Sequence, residues 1–171
     1  MTGLTTEDHQ ELTLDSYVYL AEEFYFVPWA PVLQGWETGD YIAHLRMYEA
    51  RGINLAHAET VGLGSVCRRG SEKPIVEIVT AVQSYARQRY GRRLRLHGFG
   101  MNIRALRRVA YLLTSSDSLA WSDTARREHV RLPGCAHKCC NNCPDYALVW
   151  RDRVLAATTS PVQLDLFTEA A

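Results

Sequence analysis

The sequence predicts an α/β protein, a partial (β/α)8 TIM-like barrel of about four strand–helix units with a C-terminal zinc-binding segment. Short apolar runs alternate with longer amphipathic stretches at intervals of roughly 30 residues, which is typical of βαβ units and a parallel sheet. Four of the five cysteines lie within nine residues of one another. The alternation alone fits a small open α/β sheet equally well, since a complete barrel typically needs about 250 residues and this chain has 171.

Hydrophobic periodicity sets the expected order of the elements along the chain. Buried strands are predicted at four apolar runs, over residues 31–34, 61–66, 94–98 and, more weakly, 112–116. Amphipathic helices are predicted over residues 9–23, from an N-cap at Thr38 to Gly52, from Pro74 through Val82, and over 102–110, 119–128 and 146–156. Residues 1–157 are expected to form one domain that includes the zinc-binding segment 135–143, and 158–171 a flexible tail.

Composition excludes several classes of protein. The chain has 19 basic and 19 acidic residues, so any contact with nucleic acid must come from local patches rather than from a strongly basic chain. No run of 18 apolar residues is present, which argues against a membrane span. The N-terminal residues lack a basic region followed by an apolar stretch, so no secretory signal is expected. A cytoplasmic location follows from these observations.

The cysteine cluster is the strongest local motif. In a chain without an export signal, closely spaced cysteines favour a metal site over disulfides. Cys140 and Cys143 form a Cys-x-x-Cys half-site, and Cys135 and His137 can supply the other two ligands of a tetrahedral Zn²⁺ ion. Cys139 adjoins Cys140, so one of the two must point elsewhere, and the gap to Cys143 favours Cys140 as the ligand. A disulfide pair or free thiols are the alternative.

Polar residues and glycines follow the predicted strands. In a parallel sheet, the chemistry collects at the C-terminal strand ends. Glycines there let the backbone approach a flat ligand, and an amide side chain can recognise the edge of a base. Each feature alone is weak, since a glycine after a strand is usually a turn residue and an aspartate there is usually a helix N-cap. The four features are Gln34-Gly35, Gly62-Leu-Gly64, His97-Gly-Phe-Gly100 and Asp117-Ser118.

The order of five motifs over residues 2–155 resembles the C-terminal half of the tRNA-guanine transglycosylase superfamily, and most closely its DpdA-like branch, which inserts deazapurines into DNA. These motifs are PVLQGW, VGLGSVCRR, LHGFGMN, SSDSLAWSDTARR and the Cys/His cluster. The resemblance implies that the chain exchanges guanine for a 7-deazaguanine as a pentosyltransferase. It equally implies a structural Zn²⁺ ion, and nucleic acid as the partner, DNA in preference to tRNA.

The resemblance also implies roles for individual residues. Asp117 would attack the anomeric carbon of the sugar and hold a covalent intermediate, which suits a carboxylate at a carbon with oxocarbenium character. Substrate-binding roles are implied for Gln34, Gly62, Leu63, Gly64 and His97. Candidate phosphate contacts are Arg68, Arg69, Arg126 and Arg127, although a solvated surface explains these arginines equally well.

Two departures from the family pattern limit the resemblance. Lys138 stands where the usual Cys-x-Cys-x-x-Cys motif has its first cysteine, so His137 is needed as the fourth ligand. The family enzymes carry a second aspartate, the general acid/base, in their first half, and that half has no counterpart here. Asp15 and Asp40 lie on predicted helices, so neither is expected to replace this aspartate. The chain is therefore expected to be a truncated gene product, a product of a mis-assigned start, or one half of a split enzyme, and to be inactive alone. A separate N-terminal half or a second copy of the chain is the expected partner. A tRNA-acting enzyme and a non-catalytic zinc-stabilised nucleic-acid-binding remnant are the alternatives.

Overall fold

A computed structural model of the chain describes residues 3–68 and 71–159, with only the backbone of residue 68. Its centre is a sheet of four parallel strands in the order β1-β2-β3-β4. The strands are β1 (Val32–Leu33), β2 (Val61–Leu63), β3 (Leu96–Gly98) and β4 (Ser115–Ser116). Neighbouring strands are consecutive in sequence and parallel, so each connection carries a crossover helix.

Six α-helices surround or extend this sheet in the described ranges. They are α1 (Thr6–Glu23), α2 (Thr38–Ala50), α3 (Glu72–Tyr90), α4 (Ile103–Val109), α5 (Ala120–Arg127) and α6 (Pro144–Thr158). Three single turns of 3-10 helix lie at Leu55–His57, Val66–Arg68 and Ala110–Leu112. Within the same ranges, no helix combines the length and the apolar character needed to cross a membrane.

The predicted α/β class and parallel sheet are confirmed, with differences at the element ends. Glu37, not Thr38, is the N-cap of α2, because the Asp40 carboxylate accepts the Glu37 N–H at 2.7 Å and fixes the turn there. The predicted strand over 112–116 is shortened to two residues. Leu112 ends a 3-10 turn, and its carbonyl accepts a side-chain hydrogen bond from Gln83 instead of pairing with β3. Beyond Thr159, the predicted tail lies outside the described residues.

The main core lies between the sheet and helices α2 and α3. Each of the first three strands contributes a leucine with no exposed surface, and the two helices pack apolar stripes against them. The largest of these side chains are Leu33, Leu63, Leu96, Tyr41, Leu45, Tyr48, Ile75 and Ile78. Among the described residues, β1 and β4 are the edge strands of an open sheet.

The C-terminal segment has a small core of its own. Ala125 from α5 packs there with Cys140, Cys143 and Tyr146, all buried. The half-buried Trp121 and Trp150 cover this cluster from α5 and α6. Because so few apolar residues contribute, packing alone stabilises this segment weakly, and a further cross-link would add to its stability.

Candidate active site and metal centre

The carboxyl ends of the four strands bring the predicted site residues to one edge of the sheet, called here the carboxyl edge. Gln34 follows β1, Gly64 follows β2, Phe99 and Gly100 follow β3, and Asp117 follows β4. Adjacent parallel strands lie about 4.8 Å apart, so β1 and β4 are separated by about 14 Å. Gln34 and Asp117 therefore lie at the same edge of the sheet, with the ends of β2 and β3 between them.

Asp117 is exposed and held by one of its two carboxylate oxygens. Its Oδ1 accepts the backbone N–H of Gly100 at 2.7 Å, which links the loops after β3 and β4. Its Oδ2 makes no hydrogen bond within the described ranges, and 63% of the side chain is exposed. Asp117 is also not a helix cap, since α5 begins after Leu119. The protein thus orients the carboxylate through Oδ1, while Oδ2 has no hydrogen-bond partner among the described residues.

His97 lies beside this carboxylate. Its Nε2 is 3.7 Å from Asp117 Oδ1, and its Nδ1 is 2.8 Å from Ser115 Oγ. His97 and Ser115 are register partners on β3 and β4, which explains the short contact between their side chains. The Phe99 ring packs edge-on against the imidazole at 4.8 Å between centroids. Ser115 was not singled out by the sequence, because only strand register reveals it as a neighbour of His97.

Gln34 meets the glycine loop after β2. Its Oε1 accepts from Ser65 Oγ at 3.1 Å, and its Nε2 makes no hydrogen bond in the described part of the chain. A Cβ atom on Gly64 would lie 2.9 Å from Gln34 Oε1, so the glycine leaves the room that the amide occupies. The Gly64 carbonyl accepts from the buried hydroxyl of Tyr41 at 2.8 Å, which fixes the loop to α2.

The other predicted loop residues, Gly62 and Leu63, belong to β2 itself and are buried. A Cβ on Gly62 would come within 2.6 Å of the Phe99 ring, so this glycine makes space for an aromatic side chain of the neighbouring loop. Leu63 has no exposed surface and packs in the core. Only backbone groups of Gly62 and Leu63 are therefore available to a ligand at this edge.

Several other candidates lie apart from this edge or have structural partners. Arg127 forms an exposed ion pair with Asp123 within α5, at 2.9 Å. Arg69 and the side chain of Arg68 lie outside the described residues. Asp15 pairs with Arg51 at 3.0 Å. Asp40 accepts the N–H of Trp36 at 2.8 Å in capping α2. Both aspartates therefore have structural partners.

The four predicted metal ligands come together in the C-terminal segment. One ligand atom from each of Cys135, His137, Cys140 and Cys143 lies within 4.8 Å of all the others. The Cys135 Sγ is 3.9 Å from that of Cys143 and 3.8 Å from that of Cys140. A tetrahedral Zn²⁺ ion with Zn–S bonds of about 2.3 Å requires S···S distances of about 3.8 Å. The cluster could therefore hold a metal ion of the zinc type.

The surroundings of the cluster suit thiolate ligands. All the cysteines are free. The backbone N–H of Leu132 donates to Cys140 Sγ at 3.2 Å, and His137 Nε2 lies 3.1 Å from the same sulfur. The Cys139 side chain points away from the cluster, and its S–H group donates to the Ala125 carbonyl, with Sγ 3.0 Å from the oxygen. Cys140 is therefore the cluster member of the adjacent pair.

Electrostatics within the cluster favour a cation. The backbone N–H of Tyr146, at the start of α6, is the largest cause that lowers the pKa of Cys143. Desolvation, followed by the neighbouring Cys140 and Cys143 thiols, raises the pKa of Cys135 to about 11. Three sulfurs at these separations cannot all become thiolates without mutual repulsion, and a bound dication would remove that repulsion.

A parallel α/β sheet with a carboxylate at its carboxyl edge, followed by a Cys3His cluster, is the arrangement implied by the order of the sequence motifs. The sequence model of the DpdA family, described as DeoxyPurine in DNA protein A, matches residues 1–170, and the chain belongs to this family. The family is tRNA-guanine transglycosylase-like and is involved in the insertion of deazapurines into DNA. No curated protein matches the chain.

Proposed function

We propose that the chain carries the base-recognising and nucleophilic part of a pentosyltransferase that exchanges guanine in DNA for a 7-deazaguanine. The observation that carries this proposal is the free oxygen of Asp117 at the same sheet edge as the free amide of Gln34. Membership of the DpdA family supports DNA as the substrate. Gln34 Nε2 would donate to an acceptor on the purine edge, and His97 would line the sugar side of the site.

The proposed reaction has two displacements at the sugar. Asp117 Oδ2 attacks C1′, the C1′–N9 bond breaks, and guanine leaves with the bonding electrons and takes up a proton. The incoming 7-deazaguanine then loses its N9 proton as N9 attacks C1′, and the C1′–O bond to Asp117 breaks. The carboxylate is regenerated, and one base has replaced another with no net change in protons or electrons.

The fold suggests how the remainder of the site is completed. We infer that the four strands are part of a TIM-like barrel, in which active sites lie at the carboxyl ends of the strands. The open edges of β1 and β4 would pair with strands of a separate N-terminal half or of a second copy. That partner would supply the general acid/base, since Asp15 and Asp40 already have structural partners.

Zinc has a structural role in this proposal. The residues of the cluster fit the ion, with four protein ligands and therefore no open position for a substrate. Cys135, His137, Cys140 and Cys143 would hold it and connect the loop after α5 to the start of α6. The ion would thereby stabilise the segment beside Asp117 without taking part in the exchange.

The test uses the cells that encode the chain, so that any partner is present. The reaction is expected to take place in the cytoplasm of these cells. The chromosomal substitution Asp117→Asn should reduce the amount of 7-deazaguanine nucleosides in digested DNA to background, as measured by mass spectrometry. Asp123→Asn, an exposed aspartate on α5, should leave them unchanged. An unaltered 7-deazaguanine content of DNA in Asp117→Asn would refute the proposal. A loss of 7-deazaguanine confined to tRNA would favour the tRNA-acting alternative. DNA binding without any deazaguanine would favour the non-catalytic remnant.

A further inference from the structure

A groove lined by arginines lies between α4 and α6, with a volume of about 920 Å³. Three of the arginines project from α4, and the fourth comes from the last turns of α6. Its lining residues are Glu72, Ile103, Arg104, Arg107, Arg108, Arg153, Ala156 and Ala157. None of these arginines belongs to the candidate phosphate contacts derived from the sequence.

The positive charge of the groove exceeds the negative charge that lines it. All four arginines are exposed, and within residues 3–68 and 71–159 none forms an ion pair. Glu72 is the single acidic residue among those lining the groove. On α4, Arg104 is three and four residues from Arg107 and Arg108, a spacing at which like charges repel. A bound polyanion would remove that repulsion.

The groove also belongs to a wider asymmetry of charge along the chain. Residues 78–116 contain eight arginines and no aspartate or glutamate. The net charge of zero therefore hides a strongly basic stretch, which includes α4 and both loops that flank β3. A surface of this kind attracts nucleic acid even when the whole chain is neutral.

The groove adjoins a cavity at the carboxyl edge. Ile103, at the start of α4, lines both the groove and a neighbouring cavity of about 360 Å³. Asp117 lines that second cavity, together with Ser116 and Ser118. Helix α6 borders both spaces, with Arg151 beside the cavity and Arg153 in the groove. A strand with one nucleotide at Asp117 could therefore continue its backbone past Ile103 into the groove.

We propose that this groove, formed by Arg104, Arg107, Arg108 and Arg153, binds the phosphate backbone of DNA next to the nucleotide that is exchanged. The proposal rests on the proposed function only for the choice of DNA as the polyanion. Exposed guanidinium groups bind backbone phosphates and position the duplex without recognising sequence.

The test compares DNA binding of two double variants with the same change in charge. Fluorescence anisotropy with a labelled 20-base-pair duplex over a salt series gives both the affinity and its salt dependence. Arg107→Gln/Arg108→Gln should weaken binding about tenfold or more and lower the salt slope by about 2, since each phosphate contact contributes about 0.9. Arg87→Gln/Arg92→Gln removes the same charge from the basic stretch at the C-terminal end of α3, outside the groove, and should weaken binding clearly less.

Circular dichroism should show the same helical content in all the variants, because the substituted side chains are exposed. Equal losses of affinity in the two double variants would refute DNA binding by the groove. An unchanged affinity in Arg107→Gln/Arg108→Gln, or binding of RNA alone, would refute it as well. Failure of the proposed function gives a different result. Groove-dependent DNA binding would then persist while Asp117→Asn leaves the deazaguanine content of DNA unchanged.

Discussion

The backbone N–H of Gln34 donates to Nδ1 of His44 at 2.8 Å, so the proposed base-recognising residue is anchored by a histidine on α2. The His44 side chain is completely buried. Desolvation lowers the pKa of His44 to about 4, because burial disfavours the charged imidazolium. The side chain of Gln10 adds a second anchor by donating to the Gln34 carbonyl at 2.7 Å.

This anchor predicts a pH dependence of stability. An unfolded histidine has a pKa of about 6.5, whereas folded His44 has a pKa of about 4. Between these values the unfolded state binds more protons, so the free energy of unfolding falls as the pH falls. The total loss attributable to His44 is about 3 kcal/mol, complete near pH 4 and absent above about pH 7. Urea titrations at several pH values measure it.

A pair of histidine variants isolates this contribution. His44→Asn keeps an acceptor for the Gln34 N–H but cannot titrate, so the difference from wild type should shrink as the pH is lowered from 7 to 4. His57→Asn, at an exposed position, should retain the wild-type pH dependence. If His44→Asn keeps the full wild-type dependence, the neutral buried histidine is refuted.

The glycine after β2 gives a prediction about the base site. In Gly64→Ala, the added methyl group would lie 2.9 Å from Gln34 Oε1 and displace the amide. Loss of one hydrogen bond to the purine should reduce exchange about tenfold, measured as deazaguanine in DNA. Gly39→Ala is the matched control, since nothing lies within 4 Å of its added methyl group. An equal effect of both substitutions would argue against a base-recognising Gln34.

Buried Gln83 gives a prediction about the fold that supports the site. From α3, its Nε2 donates to the carbonyls of Leu94 at 3.0 Å and Leu112 at 2.6 Å, and its Oε1 accepts the Leu94 N–H at 2.9 Å. Gln83→Leu should lower the free energy of unfolding by roughly 2–4 kcal/mol, because buried backbone groups lose their partners. Gln88→Leu, exposed on the same helix, should change it by less than about 0.5 kcal/mol. Similar urea midpoints for both variants would show that the Gln83 bonds contribute little.

Metal content tests the Cys/His cluster. Purified wild type should contain about one zinc ion per chain by elemental analysis, and Cys143→Ser should contain far less. Cys139→Ser should keep the ion, because the Cys139 thiol points to the Ala125 carbonyl. Zinc removal should also lower the melting temperature, since the small core around Cys140 and Tyr146 would lose its cross-link. Wild type without zinc, or equal loss from both variants, would contradict the site.

The sequence predicted the parts of this molecule that depend on local patterns. Apolar runs marked the first three strands, whereas β4 is only the polar end of its predicted run. Cysteine spacing identified the cluster with its choice of Cys140 over Cys139. Contacts between residues distant in sequence could not be predicted, because they depend on how α2 and α3 pack on the sheet. The bonds from His44 to Gln34 and from Gln83 to Leu112 are examples. The groove was missed for the same reason, since it combines side chains of α4 and α6.

The proposed nucleophilic role of Asp117 is tested most directly by isolating the covalent intermediate. The chain, prepared from the cells that encode it so that any partner is retained, is incubated with DNA, denatured and digested, and DNA-linked peptides are sequenced by mass spectrometry. We expect a sugar-linked adduct on Asp117 that persists in Asp123→Asn and disappears in Asp117→Asn. A wild-type protein without any adduct, or an adduct on a different residue, would contradict it.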